Sequence, residues 1–187
     1  MNYINKEIPE FNVNAYQKGE LKTFNKADLL GKWSVMFFYP ADFSFVCPTE
    51  LSDFEDSYKD FKESNAEVYS VSVDSQFSHM AWAQATDTIG KVEYPMLSDQ
   101  KHQLTDFFNI LDEKSGQAYR GVFIIDPKGI IKSYTINDMG IGRNAKEILR
   151  TLQAAQFVEA HGDNVCPADW HKGEKTIKPS GDLVGKI

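Results

Sequence analysis

The sequence predicts an α/β layered domain with a mixed central β-sheet flanked by helices. Apolar runs of strand length alternate with segments of helical periodicity, and one strong turn signal joins two apolar runs late in the chain. No internal repeat, low-complexity tract or linker divides the 187 residues. The expectation is one domain over 1–187, with 162–187 as its C-terminal tail.

The first strand signal is "WSVMFFY", Trp33 to Tyr39, a continuous apolar run closed by Pro40. Beyond it Leu51, Phe54, Tyr58 and Phe61 recur at spacings of three, four and three, one face of a helix. "EVYSVSVD", Glu67 to Asp74, alternates β-branched and small residues and reads as the next strand. A helix over about Ser78 to Ile89 comes next, with Ser75 or Ser78 as its cap. "YPMLSD" is a short strand and "HQLTDFFNIL" a short helix. In "GVFIIDPKGIIKSYTI" two strands are joined by the turn Asp126-Pro127-Lys128-Gly129. A long amphipathic helix runs from about Asn144 to His161 and is stopped by Gly162. The polar tail after it, rich in Gly, Pro and Lys, is expected to be extended and partly mobile.

A formal charge of −7 with no basic block argues against nucleic acid or an anionic membrane as the main partner. No signal peptide opens the chain and no apolar run has the length of a membrane span, so a cytoplasmic protein is expected. In that compartment a permanent disulfide is unusual, and pairing of the two cysteines, Cys47 and Cys166, would be catalytic or redox-sensing.

Active sites of such sheets lie where strands end and loops lead into helix N-termini. Cys47, in "FFYPADFSFVCPTEL", occupies such a place. Pro48 fits a first helical turn, which would start the helix near Cys47 with Glu50 in that turn. A sulfur there faces free N–H groups and the positive end of the helix dipole, which favours the nucleophilic thiolate. The Ser44 hydroxyl would reach the sulfur or whatever it attacks. The alternative is that Cys47 is a small core hydrophobe beside Phe43, Phe45 and Val46. A capping box at Ser52 and Glu55 would start the helix later and weaken the dipole argument. Arg120 precedes "GVFII", where a parallel strand would bring it to the same sheet edge and a fixed guanidinium to the sulfur. A solvated surface arginine is the other reading.

"HGDNVCPADWH" groups His161, Asp163, Cys166, Asp169 and His171, but lacks the paired ligand spacing of a structural zinc site. "GIGRNA", Gly140 to Ala145, matches a dinucleotide fingerprint, yet no strand with an acidic end comes after its helix, so the glycines read as a turn. His79 and His102 read as ordinary polar histidines, and Trp33, Trp82 and Trp170 as core or interface residues.

Taken together, Pro40-x-x-x-Ser44-x-x-Cys47, the arginine of "YRGVFIIDPKG" and the late "VCPADW" resemble the peroxiredoxin family over essentially the whole chain, closest to bacterial members of its typical two-cysteine class. The resemblance implies a thioredoxin-like fold and a thiol peroxidase, with no metal or haem and no bound cofactor. It makes Cys47 the peroxidatic cysteine and Cys166 the resolving cysteine, acting on a partner subunit. Pro40, Ser44 and Arg120 would shape the peroxide pocket, with Glu50 and Trp82 as supporting and packing positions. Electrons would come from an external disulfide reductase, an FAD- and NADH-dependent flavoprotein or thioredoxin. A homodimer assembling to a ring-shaped decamer is implied as well. Ser44 stands where threonine is more frequent. The Lys91 to Leu111 region lacks a Gly-Gly-Leu-Gly insertion and the chain closes "DLVGKI" without a Tyr-Phe helix, so resistance to overoxidation is expected. The residues admit two other functions. A thiol–disulfide oxidoreductase is disfavoured because Cys47 is followed by Pro-Thr-Glu and makes no CxxC; a non-enzymatic redox holdase is the other.

Overall fold

In the computed structural model, which describes residues 2–186, the chain opens with a hairpin, β1 (Asn12–Gln17) and β2 (Glu20–Asn25). Its two-residue turn is Lys18-Gly19, both at positive φ (49° and 87°), the geometry that matches strand twist. The turn is not the Asn-Gly type that marks a hairpin in sequence, and β2 is almost wholly exposed, so neither signal reveals it.

The apolar run becomes β3 (Trp33–Phe38), and the next strand β4 (Ala66–Ser72), both buried at every position. They pair in parallel from Trp33 opposite Ala66 to Phe38 opposite Val71. Burial on both faces explains why they read as unbroken apolar runs. Between them lie α1 (Cys47–Asp56) and α2 (Tyr58–Glu63). The predicted single helix is broken at Ser57, whose N–H turns back to the Asp53 and Glu55 carbonyls. The segment after β4 is likewise two helices, α3 (Gln76–Ala85) and α4 (Asp87–Gly90), parted by Thr86 in an extended conformation. Ser75 caps α3 by accepting the Ser78 N–H.

The remaining elements are β5 (Met96–Ser98), α5 (Gln103–Phe107), a two-residue hairpin of β6 (Leu111–Asp112) and β7 (Gln117–Ala118), β8 (Arg120–Ile125), β9 (Ile131–Asn137) and α6 (Ala145–Ala160). The β8–β9 turn forms at Asp126 to Gly129 as expected: the Gly129 N–H reaches the Asp126 carbonyl at 2.9 Å with φ +83°. Among the described residues one seven-stranded mixed sheet results, ordered β2-β1-β5-β4-β3-β8-β9. On one face Met36, Phe38, Tyr69, Val71 and Phe123 pack with Leu104 and Phe108 of the α5 region. On the other, Phe54 of α1 stacks on Phe37 of β3 at 4.1 Å between ring centroids.

One topological expectation is corrected. Arg120 reaches the edge of the sheet that holds Cys47 because β8 runs antiparallel to β3, with Val122 opposite Phe37. An antiparallel neighbour brings its first residue, rather than its last, to the carboxyl end of β3.

The chain groups into two compact units, Met1–Ala145 and Lys146–Ile187. Within the second, the segment after α6 folds back on itself instead of simply extending. Val165 bridges Ile177, and Trp170 is 2% exposed, its ring 5.2 Å from Phe157 and its indole N–H donating to the Glu174 carbonyl. His161 stacks on Phe157 and His171 lies 3.7 Å from Asp169. Among the described residues no helix is long and apolar enough to cross a membrane.

Candidate active site

β3 ends at Phe38, and Tyr39 and Pro40, both buried, lead into the loop before α1. The helix starts at Cys47 with Pro48 behind it, so Ser52 lies inside the helix rather than at its cap. Glu55 of the expected capping box instead accepts the Glu93 N–H at 2.8 Å. The side chain of Cys47 is fully buried and both cysteines are free thiols.

Positive charge faces the sulfur from two sources. One is the positive end of the α1 dipole, but not the row of free N–H groups expected there: Pro48 has none, and the Thr49 and Glu50 N–H groups turn back to the Val46 carbonyl at 3.0 and 3.3 Å. The other is Arg120, whose Nη1 lies 3.4 Å from Cys47 Sγ. Arg120 is held from both ends, its Nε donating to the Met139 carbonyl at 2.6 Å and its Nη1 to Glu50 Oε2 at 2.5 Å. Glu50, one turn into α1 and 2% exposed, is therefore part of the site itself.

Sequence reading missed the second guanidinium. Arg143, inside the "GIGRNA" stretch, donates through its backbone N–H and Nε to Glu50 Oε1 at 2.9 and 2.7 Å. Its Nη1 reaches the Gly121 carbonyl at 2.6 Å, and its plane sits 5.3 Å from the Phe37 ring. Burial pulls its guanidinium below the ordinary value, Glu50 opposes that, and the charge of Arg120 adds to it. The group stays charged because an arginine starts so high. Its Nη2 is buried with no hydrogen-bond partner among the described residues. A lone arginine after two glycines has no spacing that would announce this role.

Ser44 differs from expectation. Its hydroxyl donates to the Ala41 carbonyl at 2.7 Å rather than to the sulfur, so its single proton braces the loop and its lone pairs can still accept. Trp82, on α3, is buried against Tyr39 and Phe43, at 6.3 and 5.8 Å between rings. His79, read as an ordinary polar residue, is completely buried and bonded to Asp42. Cys166 belongs to the second unit, where its thiol lies 3.8 Å from the Ala154 carbonyl; burial pushes it up from its ordinary value, with Arg150 pulling the other way.

The arrangement offers a buried sulfur nucleophile with one fixed guanidinium donating to it and a carboxylate that holds that guanidinium. Comparison with known proteins agrees with that chemistry. Residues 4–134 match the AhpC/TSA family, and residues 154–186 match the C-terminal domain of 1-Cys peroxiredoxin. Alkyl hydroperoxide reductase C of Staphylococcus epidermidis is 48% identical over the full length of both chains, and that of Escherichia coli K12 is 46% identical over the full length of both. Among solved structures, Enterococcus faecalis AhpC is 60% identical with a TM-score of 0.88, covering 89% of this chain and all of that one. The reduced 2-Cys peroxiredoxin of Plasmodium vivax superposes with a TM-score of 0.91 at 34% identity, covering 97% of this chain and 96% of that one. The fold is thus the peroxiredoxin form of the thioredoxin-like fold. The chain belongs to the AhpC/TSA family and is a peroxiredoxin, an enzyme that reduces peroxides.

Proposed function

We propose that this peroxiredoxin reduces hydrogen peroxide and organic hydroperoxides through a Cys47 sulfenic acid and an intersubunit disulfide with Cys166. The observation that carries the reading is the Arg120 guanidinium 3.4 Å from a fully buried Cys47 sulfur at the first residue of α1. The thiolate attacks the terminal peroxide oxygen, the O–O bond breaks, and the departing alkoxide or hydroxide takes a proton to leave as alcohol or water. Arg120 and the positive end of the α1 dipole stabilise the negative charge as it moves from sulfur to oxygen. Glu50 and Arg143 hold Arg120 in place. Pro40 and Ser44 shape the loop, and Trp82 packs against it.

Cys166 then gives up its proton and attacks the sulfenic sulfur as the thiolate; the S–O bond breaks, the departing hydroxide takes up a proton to leave as water, and the disulfide forms. Two electrons and two protons from a disulfide reductase restore both thiols by exchange. We assign that reductase as the flavoprotein component of an alkyl hydroperoxide reductase system, fed by NADH through FAD, with thioredoxin as the other candidate. No cofactor bound to this chain enters the scheme. We read residues 1–187 as one functional domain, with 162–187 as the tail bearing Cys166, acting in the cytoplasm. A homodimer assembling to a decamer fits β9 at the outer edge of the sheet and the exposed aromatic rings of Phe43, Phe45 and Phe77.

Peroxide consumption with dithiothreitol as reductant tests the proposal. Turnover by the wild type and none by Cys47→Ser is expected, and full turnover by Cys47→Ser overturns it. On a non-reducing gel after one equivalent of peroxide, wild-type chains are expected as disulfide-linked dimers. Either single Cys→Ser variant should lose the Cys47–Cys166 link. A purely intrachain disulfide refutes the intersubunit assignment.

A further inference from the structure

At the end of β3 and within the loop that leads to Cys47 lies a buried polar cluster that the chemistry above does not use. The Asp42 carboxylate accepts the Tyr39 hydroxyl at 2.7 Å on Oδ1 and the His79 Nδ1 at 2.8 Å on Oδ2. The other ring nitrogen of His79 lies 3.3 Å from the Leu97 carbonyl of β5. Asp42 is tied a third time through its backbone, its N–H donating to Asp74 Oδ2 at 2.9 Å, an oxygen that also accepts the Ser72 hydroxyl at 2.8 Å. The Tyr39 and His79 side chains are fully buried, so these bonds are shielded from water. Burial, then the charge of Asp42, holds the Tyr39 phenol well above its ordinary value, which keeps it a donor.

Beyond Asp42 the chain changes character. Phe43 stands at φ 52°, a left-handed conformation strained for a bulky residue, and is 57% exposed. Phe45 is 94% exposed, and Ser44 is braced only within the loop, on Ala41. Between Asp42 and Cys47 no side chain is buried. Asp42 is therefore the last buried anchor before the reactive sulfur, and a strained residue sits directly beyond it.

We propose that Tyr39, Asp42 and His79 form a latch that sets how often the Cys47 loop opens for disulfide formation. This rests on the reading of Cys47 as the peroxidatic thiol and Cys166 as its resolving partner. The closed loop is needed for attack on peroxide, because only then does Arg120 face the sulfur. The open loop is needed for the two sulfurs to meet. The latch therefore acts as a positioning device with opposite effects on the two steps. While the closed form predominates, loosening the latch hardly changes its population, whereas the rare open population grows by the full factor.

Rapid mixing of the reduced protein with peroxide, followed by tryptophan fluorescence, separates a peroxide-dependent phase from a peroxide-independent one. Asp42→Ala and His79→Leu break the latch, Tyr39→Phe removes a single hydroxyl, and Asp42→Asn retains shape and hydrogen-bonding capacity. In the two breaking variants the peroxide-dependent phase is expected within about twofold of wild type, and the peroxide-independent phase about tenfold faster. Amide hydrogen exchange of residues 42–47 in the reduced protein should quicken by a similar factor, about tenfold. Tyr39→Phe should show a smaller acceleration in both, and Asp42→Asn should restore most of the wild-type behaviour. A purely structural role would lower stability without speeding one step. An unchanged peroxide-independent phase in the folded variants overturns the latch, as does faster exchange without faster disulfide formation. If Asp42→Ala and His79→Leu fail to fold, Tyr39→Phe decides alone by the same two readouts. A wild type with no peroxide-dependent phase overturns the peroxidase reading instead, and hydrogen exchange then judges the latch by itself.

Discussion

At the scale of single residues, Glu50 holds together two buried guanidiniums that would otherwise repel one another. Its oxygens divide the work, Oε2 taking Arg120 and Oε1 taking Arg143. Removing the charge leaves both cations buried and under-compensated, which is costly even where the intact cluster adds little net stability. Glu50→Gln is expected to lower unfolding stability by about 3 kcal/mol, read as a shift of the urea midpoint. Peroxide turnover should fall with it, since Arg120 loses its tether. A variant as stable and active as wild type would show that Glu50 only occupies space. Part of this candidate site is legible from sequence: the resemblance carried by Pro40, Ser44 and Cys47 points to it, and Pro48 marks the helix start. Arg143 and His79 were illegible because neither belongs to a local pattern. Each gains its meaning from a contact across the fold, Arg143 to Glu50 and His79 to Asp42.

At the scale of elements, the strands that lie deepest were the easiest to read. β3 and β4 are buried on both faces, so their composition carries the signal. The hairpin of β1 and β2 was harder to read: β1 buries Val13 and Ala15 in the core, but β2 is almost wholly exposed and the turn is not of the Asn-Gly type. Gly19 sits at φ +87°, and a methyl group on its Cα would meet nothing within 4 Å. Gly19→Ala is thus a clean probe of backbone strain and is expected to cost about 1 kcal/mol by thermal or urea unfolding. Ser75→Ala, which removes the α3 cap, is expected to cost about 1 kcal/mol as well. Helix boundaries were read less well than helices, since Ser57 and Thr86 divide segments whose apolar spacing runs straight through.

For the molecule as a whole, the rate of the proposed cycle depends on two thiols in different surroundings. Burial raises Cys166 above its ordinary 9.0, so at neutral pH it is overwhelmingly the protonated thiol. The attacking form is the thiolate. The disulfide-forming phase is therefore expected to accelerate about tenfold per pH unit between pH ~6 and ~8, with the peroxide-dependent phase followed in the same stopped-flow traces. A flat profile would show that Cys166 is not the group whose ionisation limits resolution. The linkage to folding has the matching sign. A raised folded value favours the protonated form in the native state, so this contribution is present below the ordinary 9.0 and is lost as pH rises through the folded value.

The pairing of two guanidiniums with one carboxylate also has a consequence for redox balance. With Cys47 as a thiolate, the buried group of Arg120, Arg143, Glu50 and sulfur is electrically neutral. In the proposed cycle, forming a disulfide removes the sulfur's charge and leaves one positive charge in excess among buried side chains. Oxidation thus turns a balanced interior into an unbalanced one, and the imbalance is relieved by letting the cleft hydrate. The reduced protein should accordingly melt at a higher temperature than the oxidised one, and the gap should shrink in Arg143→Met. In that cycle, charge parity would make the packed state of the enzyme a sensor of its own oxidation state.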